Sequence, residues 1–243
     1  LDTAETLMGR SACPHCKGKI RWYDNIPFFS FLILRAKCRE CEKKISLLYP
    51  LVELGTGALF ALSGYYFFSA LDPQSWLETV FYLGIFSALV VIFAYDFKFM
   101  EIPMIVLWIG VGWTVAFLLI FDWMNFNPQM GILDSRIFSG VLAGSLAFLF
   151  FFALSAGSKE KWMGMGDAYL ALFAGLAVGW PVILGAFMLA FALGSVSGIA
   201  LLLLKKKTMK SQLPFAPFMA LGIFLSIFIP LIFPGIKHWI FYF

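Results

Sequence analysis

Seven long apolar runs decide what this chain can become. They fall at about residues 47–70, 77–95, 102–121, 137–156, 167–179, 182–204 and 214–233. A helix needs roughly 17–25 apolar residues to cross a bilayer, and fewer where neighbours shield it. Six runs reach that length. The fifth stops at Trp180-Pro181 and reads as a half-length helix or the first arm of a tight hairpin. Of the 243 residues, 61% are hydrophobic and 13% charged, against about 25% charged in a soluble domain. Mean hydropathy is +0.88. The expected fold is an all-α polytopic membrane protein with about seven transmembrane helices. The chain begins with Leu1, and no signal peptide, internal repeat or low-complexity tract stands out.

Residues 1–46 are polar, basic and cysteine-bearing, and read as a small extramembrane domain ahead of a membrane domain at 47–243. The net charge of +4 is modest, and its distribution matters more than its sum. If 1–46 is cytoplasmic, seven alternating spans place sixteen of the eighteen Lys and Arg residues inside, including Lys98, Lys159, Lys161 and the cluster Lys205, Lys206, Lys207 and Lys210. Only Arg136 and Lys237 fall outside. Loop Lys and Arg bias sets orientation, so the N-terminal domain is expected in the cytoplasm. The lysine run at 205–207 reads as an inside anchor that can also meet anionic membrane lipid.

All the cysteines lie in that domain, as Cys13-x-x-Cys16 and Cys38-x-x-Cys41. Paired CxxC motifs about 20 residues apart are a zinc signal, and a reducing cytoplasm argues against disulfides. Four thiolates would leave Zn2+ no open position, so the ion would be structural. Unmetallated thiols and a redox role are the alternatives. His15 reads as exposed rather than bound.

Two acids stand at the cytoplasmic ends of predicted spans. Asp96 ends the second span and Asp167 begins the fifth, 71 residues later at matched depth. Acids so close to hydrocarbon are expensive and mark function. The bland reading makes Asp167 a helix N-cap and Asp96 a loop residue. The sharper reading pairs them as an aspartyl dyad that shares a proton, activates a water and protonates a leaving amine. Gly164 and Gly166 would then let an extended substrate backbone approach. Helix ends favour negative charge on Asp167, at an N-terminus, and disfavour it on Asp96, at a C-terminus, so the shared proton is expected on Asp96. Glu53 lies deep in the first span, satisfied by neighbouring polar groups or contacting substrate or a methyl-donor site.

These motifs resemble the bacterial type IV prepilin peptidases, the leader peptidase and N-methyltransferase enzymes. "GRSACPHCKGKIRWYDNIPFFSFLILRAKCRECEKKISLLYPLVELGTG" resembles the family's cysteine domain and its Tyr-Pro-x-x-Glu entry into the membrane. "YDFKFMEIP" resembles the first aspartate motif and "GMGD" the second. "LPFAPFMALG" resembles a late family element. Ala36 and Ala216 stand where the family often has Gly, Met104 where an Asp is frequent, and Tyr169 where a Lys often follows the second aspartate. Lys98 and Lys161 are the cations left to serve the dyad. The family has eight spans, the first of which lies before the cysteines and is absent here.

The resemblance implies catalytic Asp96 and Asp167, a structural Zn2+ on Cys13, Cys16, Cys38 and Cys41, and substrate contacts from Gly164, Gly166 and Glu53. It implies a multi-pass protein of the bacterial cytoplasmic (inner) membrane that removes the leader of prepilins or pseudopilins in type IV pilus or type II secretion systems. Cleavage after a glycine would be followed by N-methylation of the new N-terminal residue from S-adenosylmethionine. No Gly-rich nucleotide loop is visible, so the methyl transfer rests on resemblance alone. The rivals are a peptidase without methylation and a transporter with a zinc-stabilised domain, although transporter sites lie near the midplane and often in repeated halves. No nucleic-acid partner is implied, and a homo-oligomer is left open.

Overall fold

The computed structural model describes residues 11–125, 131, 135–161, 163–205 and 213–233. Arg10, Lys206, Lys207, Lys210 and Lys237 therefore lie outside the described residues. A 3-10 turn at Trp22–Asn25 precedes α1 (Phe29–Ile33), α2 (Leu48–Phe67), α3 (Pro73–Phe99), α4 (Met104–Met124), α5 (Arg136–Gly157), α6 (Met165–Val178), α7 (Val182–Leu203) and α8 (Ala216–Ile232). Helices α2 to α8 fall on the seven apolar runs. Among the described residues, α3, α4, α5 and α7 are each long and apolar enough to cross a membrane, while α6 and α8 are shorter. The protein is a multi-pass, all-α membrane protein.

The chain divides into two compact units, Leu1–Leu62 and Ser63–Phe243. The first contains a repeat that composition concealed. The Cys13 N–H donates to the Gly18 carbonyl at 3.0 Å and the Lys17 N–H to the Cys13 carbonyl at 2.9 Å. Twenty-five positions later, the Cys38 N–H donates to the Lys43 carbonyl at 2.9 Å and the Glu42 N–H to the Cys38 carbonyl at 3.0 Å. Antiparallel bridges Ala12–Lys19 and Lys37–Lys44 close the two hairpins. Lys17 and Glu42 both take left-handed backbone, with φ of 58° and 55°. Ala36 also does so, with φ of 59°, a conformation that favours glycine. A Cβ in that region costs roughly 1–2 kcal/mol.

In the second unit, α6 is the central element. Ala168, Leu170, Ala171, Phe173, Ala174, Gly175, Leu176 and Ala177 are all buried. A helix shielded by its neighbours need not match the bilayer thickness, which accounts for α6 being only 14 residues long. Lipid supplies no hydrophobic drive between helices, so close packing of small residues holds them. Gly140 and Gly144 of α5 have the GxxxG spacing. A Cβ on Gly140 would sit 3.0 Å from the Leu176 carbonyl oxygen, and one on Gly144 2.9 Å from that of Leu172. Gly175 returns the contact, since a Cβ there would lie 2.5 Å from the Gly144 Cα. Gly222 of α8 lies similarly against the backbone of α7 at Ala186. Elsewhere large rings fill the space, as where Phe86 meets Phe224 at 5.3 Å and Phe228 at 5.5 Å.

Helix ends are satisfied by named groups. Asp72 caps α3 by accepting the Gln74 N–H at 3.0 Å, with Pro73 next in the first turn. Ser135 caps α5 through the Phe138 N–H at 3.0 Å. Asp122, near the end of α4, gives one oxygen to the Arg136 N–H at 2.9 Å and the other to the Ile137 N–H at 3.0 Å. The α5–α6 contact generates a test. Gly175→Val should lower the thermal unfolding midpoint in detergent, because overpacking a close contact costs about 1–3 kcal/mol. Gly55→Val, where a Cβ meets nothing within 4 Å, should change it far less.

Candidate active site and metal centre

The two knuckles bring the four cysteine sulfurs within 4.8 Å of one another. Cys13 Sγ and Cys41 Sγ are 3.9 Å apart, near the ~3.8 Å edge of a sulfur tetrahedron with metal–sulfur bonds of about 2.3 Å. The N–H groups of Cys16 and His15 turn toward the Cys13 sulfur and bring that thiol down to about 6. Cys16 goes the opposite way. The Gly18 N–H favours its thiolate, but desolvation and the sulfurs of Cys13, Cys41 and Cys38 outweigh it and push the thiol up to about 12. Sulfurs this close cannot all be anionic unless a cation sits among them. The cluster can hold a metal ion, and its donor set suits zinc. His15 is exposed and stands apart from the ligand set.

Asp96 and Asp167 lie close enough for their charges to interact, although they come from different helices. Asp96 occupies the last turn of α3 and is 5% exposed. That turn closes on Met100, a left-handed C-cap with φ of 56° whose N–H donates to the Asp96 carbonyl at 2.8 Å. The Asp96 carboxylate faces the N–H of Ala216, the first residue of α8. Its Oδ2 is buried and has no hydrogen-bond partner. Asp167 is not the N-cap of α6, because Gly164 holds that place. Asp167 stands three residues on and its carboxylate reaches back to the Gly164 N–H, the return half of a capping box. Asp96 ends one helix but faces the N-terminus of another, so both carboxylates meet helix N-termini and the helix ends alone do not distinguish them.

The remaining expected site residues take varied roles. A Cβ on Gly166 would lie 3.2 Å from the Ile102 side chain, so its bareness admits the α3–α4 loop. Gly164 is exposed, and a Cβ added to it would meet only the Asp167 carboxylate and the Gly166 nitrogen, each 4.0 Å away. Glu53 accepts the Phe28 N–H at 2.9 Å within the first unit, a partner at the start of α1 that no spacing announces. Lys98 lies 4.9 Å over the Phe99 ring. Among the described residues, neither Lys98 nor Lys161 forms an ion pair, the pairs being Arg39–Asp24 and Arg136–Glu78. Tyr169 packs with Trp108 of α4 at 5.7 Å and Phe148 of α5 at 5.6 Å. Beside Ala216 lies a cavity of about 260 Å³ lined by Phe191, Leu213, Pro214, Phe215 and Phe218.

Fold and site define a multi-pass membrane protein with a buried carboxylate, Asp96, a half-buried one, Asp167, and a four-cysteine module. Residues 2–67 match the bacterial peptidase A24 N-terminal domain, and residues 83–203 match the type IV leader peptidase family. The chain is 32% identical to a prepilin leader peptidase/N-methyltransferase of Vibrio cholerae over 74% of its own length and 66% of the relative's. It is 33% identical to one of Bacillus subtilis over 89% and 80%. It is 34% identical to a type 4 prepilin-like proteins leader peptide-processing enzyme of Escherichia coli over 92% and 77%. No solved structure matches. The chain belongs to the type IV leader peptidase family, a family of membrane peptidases.

Sequence reasoning missed the Ala216 N–H, the Gly164 return cap and the Glu53 tether, since each is a backbone contact. It also missed two legible signals, the 25-residue offset between knuckles and the Gly140-x-x-x-Gly144 spacing. The sulfur geometry sets a test. Elemental analysis of the purified full chain should find about one metal ion, as four-cysteine sites hold. Cys13→Ser and Cys41→Ser should each lose it and become more sensitive to proteolysis within 11–46. A wild-type chain without stoichiometric metal would refute the assignment.

Proposed function

We propose that this chain is an intramembrane aspartyl endopeptidase that removes the leader of prepilins or pseudopilins, with Asp96 and Asp167 as its catalytic pair. The observation that carries the reading is the contrast between Asp96 and the other helix-end acids. Asp122 and Asp24 have both carboxylate oxygens bonded. Asp96 keeps a buried oxygen without a hydrogen-bond partner while the charge of a second carboxylate, Asp167, lies within interaction range. An unpaired polar atom is costly to bury, and here it points to a group that meets substrate or water.

In the proposed chemistry, the pair holds one proton. The ionised carboxylate removes a proton from water as the oxygen attacks the scissile carbonyl carbon. The protonated partner hydrogen-bonds to the carbonyl oxygen. When the tetrahedral intermediate collapses, the C–N bond breaks and a proton passes to the departing amine. The exposed Gly164 edge would take the extended substrate backbone. The apolar cavity beside Ala216 suits the side chain next to the cut, since such pockets bind through apolar walls and a few polar groups.

The domain reading follows. Residues 1–46 would form a cytoplasmic module held by Zn2+ on Cys13, Cys16, Cys38 and Cys41, and 47–243 the peptidase in the bacterial inner membrane, with Lys and Arg bias supporting that orientation. The zinc would fix the two knuckles together. Glu53 would anchor this module through Phe28, which accounts for it without a substrate contact. N-methylation is supported by the names of the relatives. S-adenosylmethionine would supply the methyl group, and no described residue is assigned to hold it.

The test is leader cleavage by the purified chain with and without S-adenosylmethionine. Asp96→Asn and Asp167→Asn should each lower the cleavage rate by at least about 10²–10⁴-fold, the range for a lost general acid or base, with metal content and unfolding midpoint unchanged. Cleavage by either variant near the wild-type rate would remove the aspartyl mechanism. A mass gain of one methyl group on the product, only with the donor, would establish the second activity. Cleavage alone would favour the peptidase without methylation.

A further inference from the structure

The insert between the two knuckles is built inside out. On α1, Phe29, Leu32 and Ile33 are 65%, 55% and 75% exposed, whereas Ser30 is 6% exposed. Residues three and four apart share one helix face, so the three side chains form one apolar ridge. Trp22, 77% exposed, adds to the apolar surface just before it. The buried serine is satisfied, its hydroxyl donating to the Tyr23 carbonyl at 2.7 Å, so this side is fastened inward. Arg39 grips Asp24 with a hydrogen bond from Nε at 2.9 Å and stacks 5.6 Å over the Tyr23 ring. The insert is held to the second knuckle with its ridge facing outward.

Two observations identify what covers the ridge. First, the Phe28 N–H, at the start of α1, is bound to Glu53 in the second turn of α2. α2 lies on the first apolar run, 47–70, so α1 is tied to the start of the expected first span, where Leu47, Tyr49 and Leu51 are exposed. Second, residues 11–46 carry eight Lys and Arg against three Asp and Glu, a net charge of +5. Arg21, Arg35 and Lys37 flank the ridge and are exposed. An aromatic and aliphatic ridge ringed by cations is the composition of a surface that lies in the membrane interface and meets anionic headgroups.

We propose that the four-cysteine module lies on the membrane, with Phe29, Leu32 and Ile33 inserted at the headgroup–acyl boundary and the flanking cations on anionic lipid. Membrane contact would fix the module's orientation in the same step that buries the ridge. This does not depend on the peptidase chemistry.

The test uses the full chain in vesicles with a photo-crosslinking phenylalanine derivative at position 29, 32 or 33, and at Glu42 as an exposed control. Retained metal content verifies folding of each variant. In phosphatidylglycerol-containing vesicles, lipid adducts at the three ridge positions should exceed those at Glu42 several-fold, and should fall in vesicles of phosphatidylcholine alone. Yields no higher than at Glu42, or crosslinks to this chain or to an added prepilin substrate instead of lipid, would overturn the proposal. Equal lipid yields in both vesicle types would overturn its electrostatic part.

Discussion

A carboxylate inside a bundle of apolar helices must find hydrogen-bond donors, and the free N–H groups of helix N-termini are the donors at hand. This constraint organises the membrane unit. Asp122 gives both oxygens to the first N–H groups of α5. Asp167 reaches back to the N–H that opens its own helix. Asp96 faces Ala216 at the start of α8. Helix N-termini carry partial positive charge from unsatisfied N–H groups, so each acid meets favourable charge without an ion pair, while Asp96 still keeps one oxygen unpaired. That lets Lys98 lie over Phe99 and Tyr169 pack with Trp108 and Phe148. It also ties the site to helix length, because α6 must begin where Asp96 ends α3.

The close helix packing serves the same end. Gly140, Gly144 and Gly175 let α5 and α6 touch at backbone distance, and Gly166 lets the α3–α4 loop sit on the first turn of α6. These contacts fix the turn that carries Asp167 against the helix that carries Asp96. A loose α6 would leave the two carboxylates at a variable distance, and paired titration depends steeply on separation.

The membrane helices were legible because an apolar run of a given length has few alternatives in a bilayer. Run 182–204 became Val182–Leu203 and run 137–156 became Arg136–Gly157. The fifth run was ambiguous because length alone cannot tell a shielded central helix from a hairpin arm, and the small residues of 168–177 resolve it only once their neighbours are known. The metal cluster was legible because CxxC spacing fixes ligand geometry locally. The partners of Asp96, Asp167 and Glu53 were not, since they are main-chain groups at helix starts and carry no side-chain signature. The helix-end argument for Asp96 lacked the Ala216 N–H for that reason, because the sequence displays the helix that bears Asp96 and not the one that faces it.

The central claim is that Asp96 and Asp167 form one electrostatic unit. Isotope-edited infrared titration of the aspartate carboxyls in the full chain, in membranes, measures this directly. Two separated protonation steps that belong to the pair are predicted, and in Asp167→Asn a single remaining step for Asp96 displaced from both. An Asp96 titration that is the same with and without the Asp167 carboxyl would contradict the claim.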